Sequence, residues 1–194
     1  MTLTARAARG TKKLMSSFVS RAAAIFLFAA TAHAQTSSSQ LVARVDARYA
    51  NVRTYNHAFT QTFVARAYNT TKVERGTMSL ARPSSMSFVY QNGNRITVTG
   101  TSVTAVTNGQ TMTQQISQTQ FPALSFLTGQ TSLASSFTFT DPPIPFQGGL
   151  ILVGTPIQPM GQYTKALFYV DSQTSDVRRI TLVDAQRNTN TFDL

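Results

Sequence analysis

The sequence contains no cysteine and no tryptophan, and its only histidines are His33 and His57. Without cysteine, these 194 residues can form no disulfide, no thiol nucleophile and no cysteine-ligated zinc site, and they offer no thiol for lipid attachment. Charged residues are also sparse, at 12% of the chain. These absences exclude thiol-based redox and metal chemistry and direct attention to the apolar residues.

Signals for catalysis are equally scarce. The sequence has no Gly-x-Ser-x-Gly motif and no His-Glu zinc motif. A Ser-His-Asp site would require a serine and an aspartate to converge on His57 by chance, so we expect His57 at the surface or at a sheet edge. We therefore predict a protein that is not an enzyme and that binds no metal and no cofactor. Neither metal-loop nor paired-acid spacing is present among the seven carboxylates, which are Asp46, Glu74, Asp141, Asp171, Asp176, Asp184 and Asp193.

The first 34 residues have the features of a secretory signal. An apolar stretch, Ala22–Ala30, is too short to span a bilayer, and Ala32-His33-Ala34 is a small-x-small cleavage site before Gln35. The alternative is an uncleaved amphipathic anchor. We predict export through a cleavable signal, followed by a single domain over residues 35–194. The basic region before the apolar stretch and its edge contain Arg6, Arg9, Lys12, Lys13 and Arg21.

The positive charge gives no evidence for nucleic-acid binding. Five of the 17 Lys and Arg residues lie in the predicted signal, which leaves 12 against seven carboxylates and a mature charge of about +5. The remaining cations are scattered singly, without a basic run interleaved with aromatic residues. We predict no nucleic-acid partner, although a mildly basic surface would favour encounters with acidic partners or anionic lipid headgroups.

Hydrophobic periodicity predicts one helix followed by a long antiparallel sheet. Apolar residues at helical spacing indicate an amphipathic helix from about Ser39 to Ala50. Two short helices are expected around Thr128-Gly129, and Asp141–Pro145 is expected to form a stiff loop. The period of two predicts about 11 strands, near 56–68, 71–82, 85–91, 95–100, 102–107, 110–117, 136–140, 148–154, 164–171, 177–184 and 188–194.

These elements predict an α+β, mainly β fold. A long curved sheet has one apolar face to bury, and only short helices are available to cover it. We therefore predict an incomplete antiparallel β-barrel of about 11 strands. Its apolar concave face would be covered by the N-terminal helix and by the short central helices.

The most informative stretch is residues 76–90. Arg82 shares the parity of the apolar residues around it, so its side chain should point to the same side as theirs. A cation directed at an apolar concavity costs free energy unless it is hydrogen-bonded, which makes Arg82 a candidate functional residue. The alternative is a strand-end arginine with a solvated head. Pro83 marks the turn between two strands whose apolar residues are Met78, Leu80, Met86, Phe88 and Tyr90.

The order of these motifs resembles the outer-membrane lipoprotein carrier family, LolA. In that family a short helix precedes a Phe-x-Gln strand, here Phe59-Thr60-Gln61, and then a Gly-x-Leu-x-Leu-x-Arg-Pro strand, here Gly76–Pro83 with Met78 at the first leucine. The resemblance covers residues 39–194. It departs at Thr99-Gly100-Thr101, where most members have an acidic Asp-Gly turn, and at Phe192-Asp193-Leu194, where many members continue with an ending associated with partner docking.

The resemblance also implies a site. Arg82 matches the arginine that hydrogen-bonds backbone carbonyls of a helical lid and acts as a latch. An acyl-chain cavity would be lined by Phe59, Phe63, Met78, Leu80, Met86 and Phe88. The lid would be formed by Val45, Tyr49, Leu124, Phe126 and Leu127. Taken one at a time, these apolar residues are also what a solid core would contain.

The function implied by the resemblance is that of a monomeric periplasmic chaperone in a Gram-negative bacterium. It would bind the acyl chains of lipoproteins, receive them from an inner-membrane ABC-type release complex and pass them to an outer-membrane acceptor. Two alternatives remain at this point. One is a lipid-binding or lipoprotein-sensing module of the same fold without delivery activity, and the other is a structural β-domain with a solid core.

Overall fold

The computed structural model describes residues 36–82, 85–115, 125–127, 131–159 and 161–194. Helix α1, Ser38–Ala50, begins one residue earlier than the periodicity predicts, because Ser37 caps it. The Ser37 hydroxyl accepts the Gln40 N–H at 3.3 Å, and the Gln40 side chain accepts the Ser37 N–H at 3.1 Å. This capping box satisfies two N–H groups that the helix itself cannot pair.

Twelve strands and a second helix, which is short, follow α1 in the described part of the chain. Helix α2 is Leu133–Ser136, residues 125–127 are helical, and Arg66–Tyr68 forms a 3₁₀ turn. The strands are β1 Thr54–Ala65, β2 Thr70–Ala81, β3 Ser85–Tyr90, β4 Arg95–Thr99, β5 Ser102–Thr107, β6 Gln110–Gln115, β7 Phe137–Phe139, β8 Ile144–Phe146, β9 Gly149–Pro156, β10 Lys165–Asp171, β11 Val177–Val183 and β12 Thr189–Asp193.

All of these strands belong to one antiparallel sheet. Its order is β6-β5-β4-β3-β2-β1-β12-β11-β10-β9-β7, with β8 paired to β9 beside β7. Strand β1 joins the two halves, because Thr54–Ala65 pairs with β2 along its whole length and Thr60–Val64 pairs with β12. Over the described residues the sheet is open between β6 and β7, which confirms the mainly β, incomplete-barrel prediction.

The prediction of a loop over Asp141–Pro145 was wrong in part. Ile144–Phe146 forms β8, opposite Gly149–Ile151 of β9. Pro145 lacks an N–H, but β8 lies at the rim of the sheet, where a strand needs hydrogen bonds on one side only. The proline-rich composition therefore identified an edge and not the absence of a strand.

The core lies between α1 and one face of the sheet. The predicted parity of residues 78–90 is confirmed, since Met78 lies opposite Phe88 and Leu80 opposite Met86, and all four are buried. We call this the concave face. On the other half of the sheet it continues through Leu152, Ala166, Phe168, Val170, Ile180 and Phe192, which are buried as well.

Gly76 allows two parts of this sheet to approach closely. A Cβ atom at this position would lie 2.2 Å from the carbonyl oxygen of Val89 and 2.9 Å from the Phe59 ring. The first of these atoms belongs to the backbone of the paired strand β3 and cannot move aside as a side chain can. The glycine of the motif is therefore required by packing.

We expect Gly76→Ala to lower the free energy of unfolding by about 2 kcal/mol, the usual cost of overpacking. Gly161→Ala is the matched control, because a Cβ at Gly161 meets no atom within 4 Å. Chemical denaturation of both variants measures the difference. Equal stabilities would show that the sheet adjusts at Gly76 without cost.

Asp171, at the end of β10, organises the turn into β11. Its carboxylate accepts the N–H groups of Gln173 and Thr174, each at 2.8 Å, and pairs with the Arg178 guanidinium. The hydrogen bond from Thr174, then that from Gln173, and the Arg178 charge hold the pKa of Asp171 below its ordinary value. The ionised form is therefore favoured in the folded protein.

This pKa shift predicts acid sensitivity at the turn. A lowered folded-state pKa stabilises the protein above the unfolded pKa of about 4, and that contribution is lost as the pH falls through the folded value. We expect Asp171→Asn to lower the melting temperature at pH 7 and to reduce the further loss on acidification. Thermal unfolding between pH 7 and pH 2 tests this, and parallel curves for both proteins would contradict it.

Candidate functional site

The concave face gathers most of the residues that the sequence predicted for the site. Its strand residues Phe59, Met78, Leu80, Met86 and Phe88 are each no more than 4% exposed. The covering residues belong to the same apolar cluster and are Val45, Tyr49, Phe126 and Leu127. The structure thus places α1 and residues 125–127 over the face that the strand parity indicated. Leu124 lies outside the described residues.

Aromatic rings make many of the contacts across this cluster. Phe59 meets Phe88 and Tyr90 edge to face, with both centroid distances at 5.2 Å. Phe126 contacts Tyr49 of α1 at 5.0 Å and Phe168 of β10 at 5.8 Å. Residues 125–127 therefore connect the helix above the sheet to the strands beneath it.

Phe63 is not part of this cluster. It has the same parity as Phe59 on β1, but 41% of it is exposed. It lines a separate open recess of about 240 Å³ with Tyr163 and Leu182. The predicted face was correct, but α1 and the other covering residues that the structure describes do not bury this end of the strand.

A small cavity lies at the edge of the cluster, where strands β3, β4 and β5 form the concave face. Its volume is about 250 Å³. The residues that line it are Gln61, Met86, Phe88, Tyr90, Ile96, Val98, Val103, Ala105, Asn190 and Phe192. Sites for drug-sized ligands usually measure about 300–1,000 Å³, so this space is smaller than a lipid with several chains requires.

Arg82 reaches the C-terminal end of α1. Its guanidinium donates to the Tyr49 carbonyl and, at 3.4 Å, to the Ala50 carbonyl. The last carbonyls of a helix lack partners within the helix and carry partial negative charge, so a cation stabilises this end. Burial lowers the pKa of Arg82. Its Nε is buried without a partner among the described residues, so part of its hydrogen-bonding capacity is unused.

Further polar contacts fasten α1. At its N-terminal end the Ser38 backbone N–H donates to Asp141 at 2.6 Å. In the middle, Asp46 accepts the N–H groups of Leu133 and Ala134 at 2.7 and 3.2 Å and so caps α2. Near the end, Arg48 pairs with Asp176 at 2.8 Å, and the Val177 N–H donates to the Tyr49 hydroxyl at 3.1 Å.

The sequence did not predict a series of side-chain hydrogen bonds that lines the cavity. The Tyr90 hydroxyl donates to Gln61 Oε1 at 2.7 Å, and Gln61 Nε2 donates to Asn190 Oδ1 at 2.9 Å. Burial and the nearby Glu74 raise the pKa of Tyr90 to about 12, so its hydroxyl stays protonated and remains a donor at neutral pH. Gln61 is the glutamine of the Phe-x-Gln motif, which was a signal for this chain of bonds.

The described residues offer little for other chemistry. His57 is exposed, as expected, and stacks on Tyr55 at a centroid distance of 4.5 Å. In the part of the chain that the structure describes, no three His, Asp or Glu side chains are grouped so that they could hold a metal ion. No described helix has the length and apolar character needed to span a bilayer.

Residues 50–194 match the sequence model of the outer membrane lipoprotein carrier protein family, LolA. The chain belongs to the LolA family. The match includes the Phe-x-Gln strand, Arg82 and the last strand, and it begins at the C-terminal end of α1. No curated protein sequence matches this chain.

Several solved structures resemble this LolA-family chain at low sequence identity. A LolA superfamily protein from Nitrosomonas europaea is 8% identical, with a TM-score of 0.46 over 81% of this chain and 91% of the other. The lipoprotein LppX from Mycobacterium tuberculosis is 12% identical, with a TM-score of 0.40 over 80% and 93%. The MucA/MucB complex of Pseudomonas aeruginosa is 14% identical, with a TM-score of 0.40 over 80% of this chain and 54% of the other. Family membership depends on the sequence match and not on these distant likenesses.

Asp46 provides a test of how α1 and α2 are coupled. Asp46→Ala removes the acceptor for two N–H groups at the start of α2, and lost caps cost about 1 kcal/mol. We expect the amides of Leu133 and Ala134 to exchange hydrogen about fivefold faster, as measured by mass spectrometry or NMR.

The matched control is Asp176→Ala, which removes the partner of Arg48 on the other side of α1. Both side chains of that ion pair are partly exposed, at 44% and 35%, so its contribution should be about 0.5 kcal/mol or less. Exchange at α2 should be unchanged in this control. Similar exchange in the two variants would contradict a specific coupling through Asp46.

Proposed function

We propose that this protein is exported to the periplasm, binds the acyl chains of lipoproteins between α1 and the concave face, and carries them from the inner to the outer membrane. The observation that carries the proposal is the manner in which α1 is attached. The helix covers an apolar face, yet Arg82 fastens its C-terminal end through hydrogen bonds to Tyr49 and Ala50. Membership of the LolA family supports the same function.

The size of the cavity implies that loading requires movement. A space of about 250 Å³ is too small for several acyl chains, so chains must enter by displacing α1 and the residues that pack beside it. Each buried methylene contributes about 0.8 kcal/mol, and about fifteen methylenes contribute on the order of 12 kcal/mol. That free energy is ample to open contacts that are mainly apolar, because the lipid replaces them with apolar contacts of its own.

The latch makes the bound lipid releasable. Opening breaks the Arg82 hydrogen bonds, and hydrogen bonds to charged groups are worth about 1.5–3 kcal/mol each. Emptying the cavity restores them, so the closed form competes with bound lipid. A carrier requires this balance, because a lipid held by apolar contacts alone would leave too slowly for transfer.

The partners in this proposal are an inner-membrane ABC-type release complex and an outer-membrane lipoprotein acceptor. The sequence contains no nucleotide-binding motif, so energy for loading would come from the release complex. The carrier would act as a monomer, without enzymatic activity and without a cofactor. Residues 1–34 would direct it to the periplasm and be removed.

One observation favours a second candidate, a lipid-binding or lipoprotein-sensing module that does not deliver cargo. The turn between β4 and β5 is Thr99-Gly100-Thr101 and carries no acidic residue, unlike most family members. A carrier that lacked this charge could bind acyl chains yet fail to engage a family-typical partner. A delivery assay with the outer-membrane acceptor distinguishes the two candidates.

The latch is tested by Arg82→Leu in residues 35–194 expressed in the periplasm. We expect the variant to retain lipoprotein that the wild-type protein releases to the acceptor. Loss of the bonds to α1 should raise the apparent affinity for a fluorescent acyl probe by at least about tenfold, because one such bond, at the low end of its range, already corresponds to about 1.5 kcal/mol. Native mass spectrometry detects the trapped cargo.

The matched control is Arg75→Leu, since Arg75 is exposed on the opposite face of β2 from the cluster. It should load and release as the wild type does. Normal loading and release by Arg82→Leu would remove the latch from the proposal. Failure of the wild-type protein to take up any acyl probe would overturn the carrier function itself and favour a solid core.

A further inference from the structure

Three polar side chains interrupt an otherwise apolar cavity. Seven of the ten residues that line the 250 Å³ space are apolar, and the others are Gln61, Tyr90 and Asn190. These three are joined in one direction: Tyr90 donates to Gln61, and Gln61 donates to Asn190. If these three side chains served only to satisfy one another's hydrogen bonds, the last of them would not need a donor without a partner.

This chain of bonds does end in a free donor. Asn190 uses its Oδ1 to accept from Gln61, and its amide NH₂ has no hydrogen-bond partner among the described residues. An amide NH₂ can bind only an acceptor. The fixed orientation of Asn190 therefore selects a ligand atom such as a carbonyl oxygen.

Asn190 also lies at the boundary between two spaces. It lines both the apolar cavity and the open recess of about 240 Å³. In the pairing of β1 with β12 it lies opposite Phe63, which also lines the recess. The recess is more polar, with Gln162, Asp184, Asn188 and Thr189 among its lining residues. An amphiphile could thus place its chain in the cavity and its polar end in the recess, with the junction at Asn190.

This junction is far from the latch. Gln61 pairs with Glu74, eight residues before Arg82, and a strand rises about 3.3 Å per residue, so the separation along β2 is about 26 Å.

The charges near Asn190 disfavour an anionic lipid head, because Asp184 lines the recess and Glu74 is close enough to Tyr90 to raise the pKa of Tyr90. Lys72, which lies opposite Phe63 on this face, is paired with Glu74 at 3.1 Å.

We propose that Asn190, oriented by Gln61 and Tyr90, binds the ester or amide carbonyl at the polar end of an acyl chain. The proposal rests on the acyl-chain binding proposed above and adds a chemical preference to it. The protein should distinguish acyl chains from alkyl chains of equal length that lack a carbonyl. Phe63, exposed in the recess, would contact the ligand beyond that carbonyl.

The test compares two neutral probes of the same chain length, 1-palmitoyl glycerol and 1-O-hexadecyl glycerol. The first has an ester carbonyl, and the second has an ether methylene in its place. Competition against a fluorescent acyl probe, below the critical micelle concentration, gives both affinities. We expect the wild-type protein to bind the ester about fivefold more tightly, the ratio that one net hydrogen bond provides.

Asn190→Leu conserves the approximate size of the side chain and removes its donors, so it should abolish the preference while leaving ether binding in place. Asn56→Leu, an identical exchange at an exposed position on the other face of β1, should keep the preference. If Asn190→Leu fails to fold, Tyr90→Phe decides the matter. Loss of its hydroxyl frees Gln61 and should reduce the ester preference.

Equal affinities of the wild-type protein for ester and ether would overturn this proposal and leave acyl-chain binding intact. An ester preference that survives Asn190→Leu, or Tyr90→Phe where that variant decides, would do the same. If the wild-type protein binds neither of the two probes and does not bind the fluorescent acyl probe, the proposed function fails, and this inference fails with it.

Discussion

The packing of α1 against the concave face is the constraint on which the rest of the structure depends. An open sheet of twelve strands presents one long apolar surface, and the hydrophobic effect requires that this surface be covered. The helix supplies Leu41, Val42, Val45 and Tyr49, all buried, and residues 125–127 extend the cover. The contacts of Arg82, Asp46, Arg48 and Tyr49 are arranged around this interface, because the backbone ends and side chains that the helix brings to it must find partners.

Those polar contacts favour α1 as the cover of the concave face. Apolar packing between a helix and a sheet has no preference between a protein side chain and an acyl chain, since both remove apolar area from water. Hydrogen bonds do have such a preference. The carbonyls of Tyr49 and Ala50 are matched to Arg82, and the carboxylate of Asp46 is matched to α2. Apolar contacts thus supply most of the stability, while the polar contacts make the closed arrangement specific.

The fold was largely predictable because its signals are local. Alternation of apolar residues along β2 and β3 fixed both the strands and the face that they bury, and the helical spacing of Leu41 to Tyr49 fixed α1. The capping residue Ser37 shifted the helix start by one position. Strand β8 was missed because proline usually argues against a strand, although a strand at a sheet rim tolerates Pro145. The resemblance implied that Arg82 contacts backbone carbonyls of a covering helix. Only the structure identified these as the carbonyls of Tyr49 and Ala50, which lie 33 and 32 residues away in sequence.

By itself, the sequence determined which side chains share a face. Phe59 and Phe63 both point to the concave side, and Arg82 points with Met78 and Leu80, because successive side chains of a strand alternate. Only the tertiary structure decided which of these positions is covered. Phe59 is buried and Phe63 is exposed because, among the described residues, the cover above the sheet reaches the first and not the second. The tertiary structure also brought Gln61 to Asn190, 129 residues later in the sequence, because β1 pairs with β12. A pairing between distant strands leaves no trace in the local periodicity of either strand.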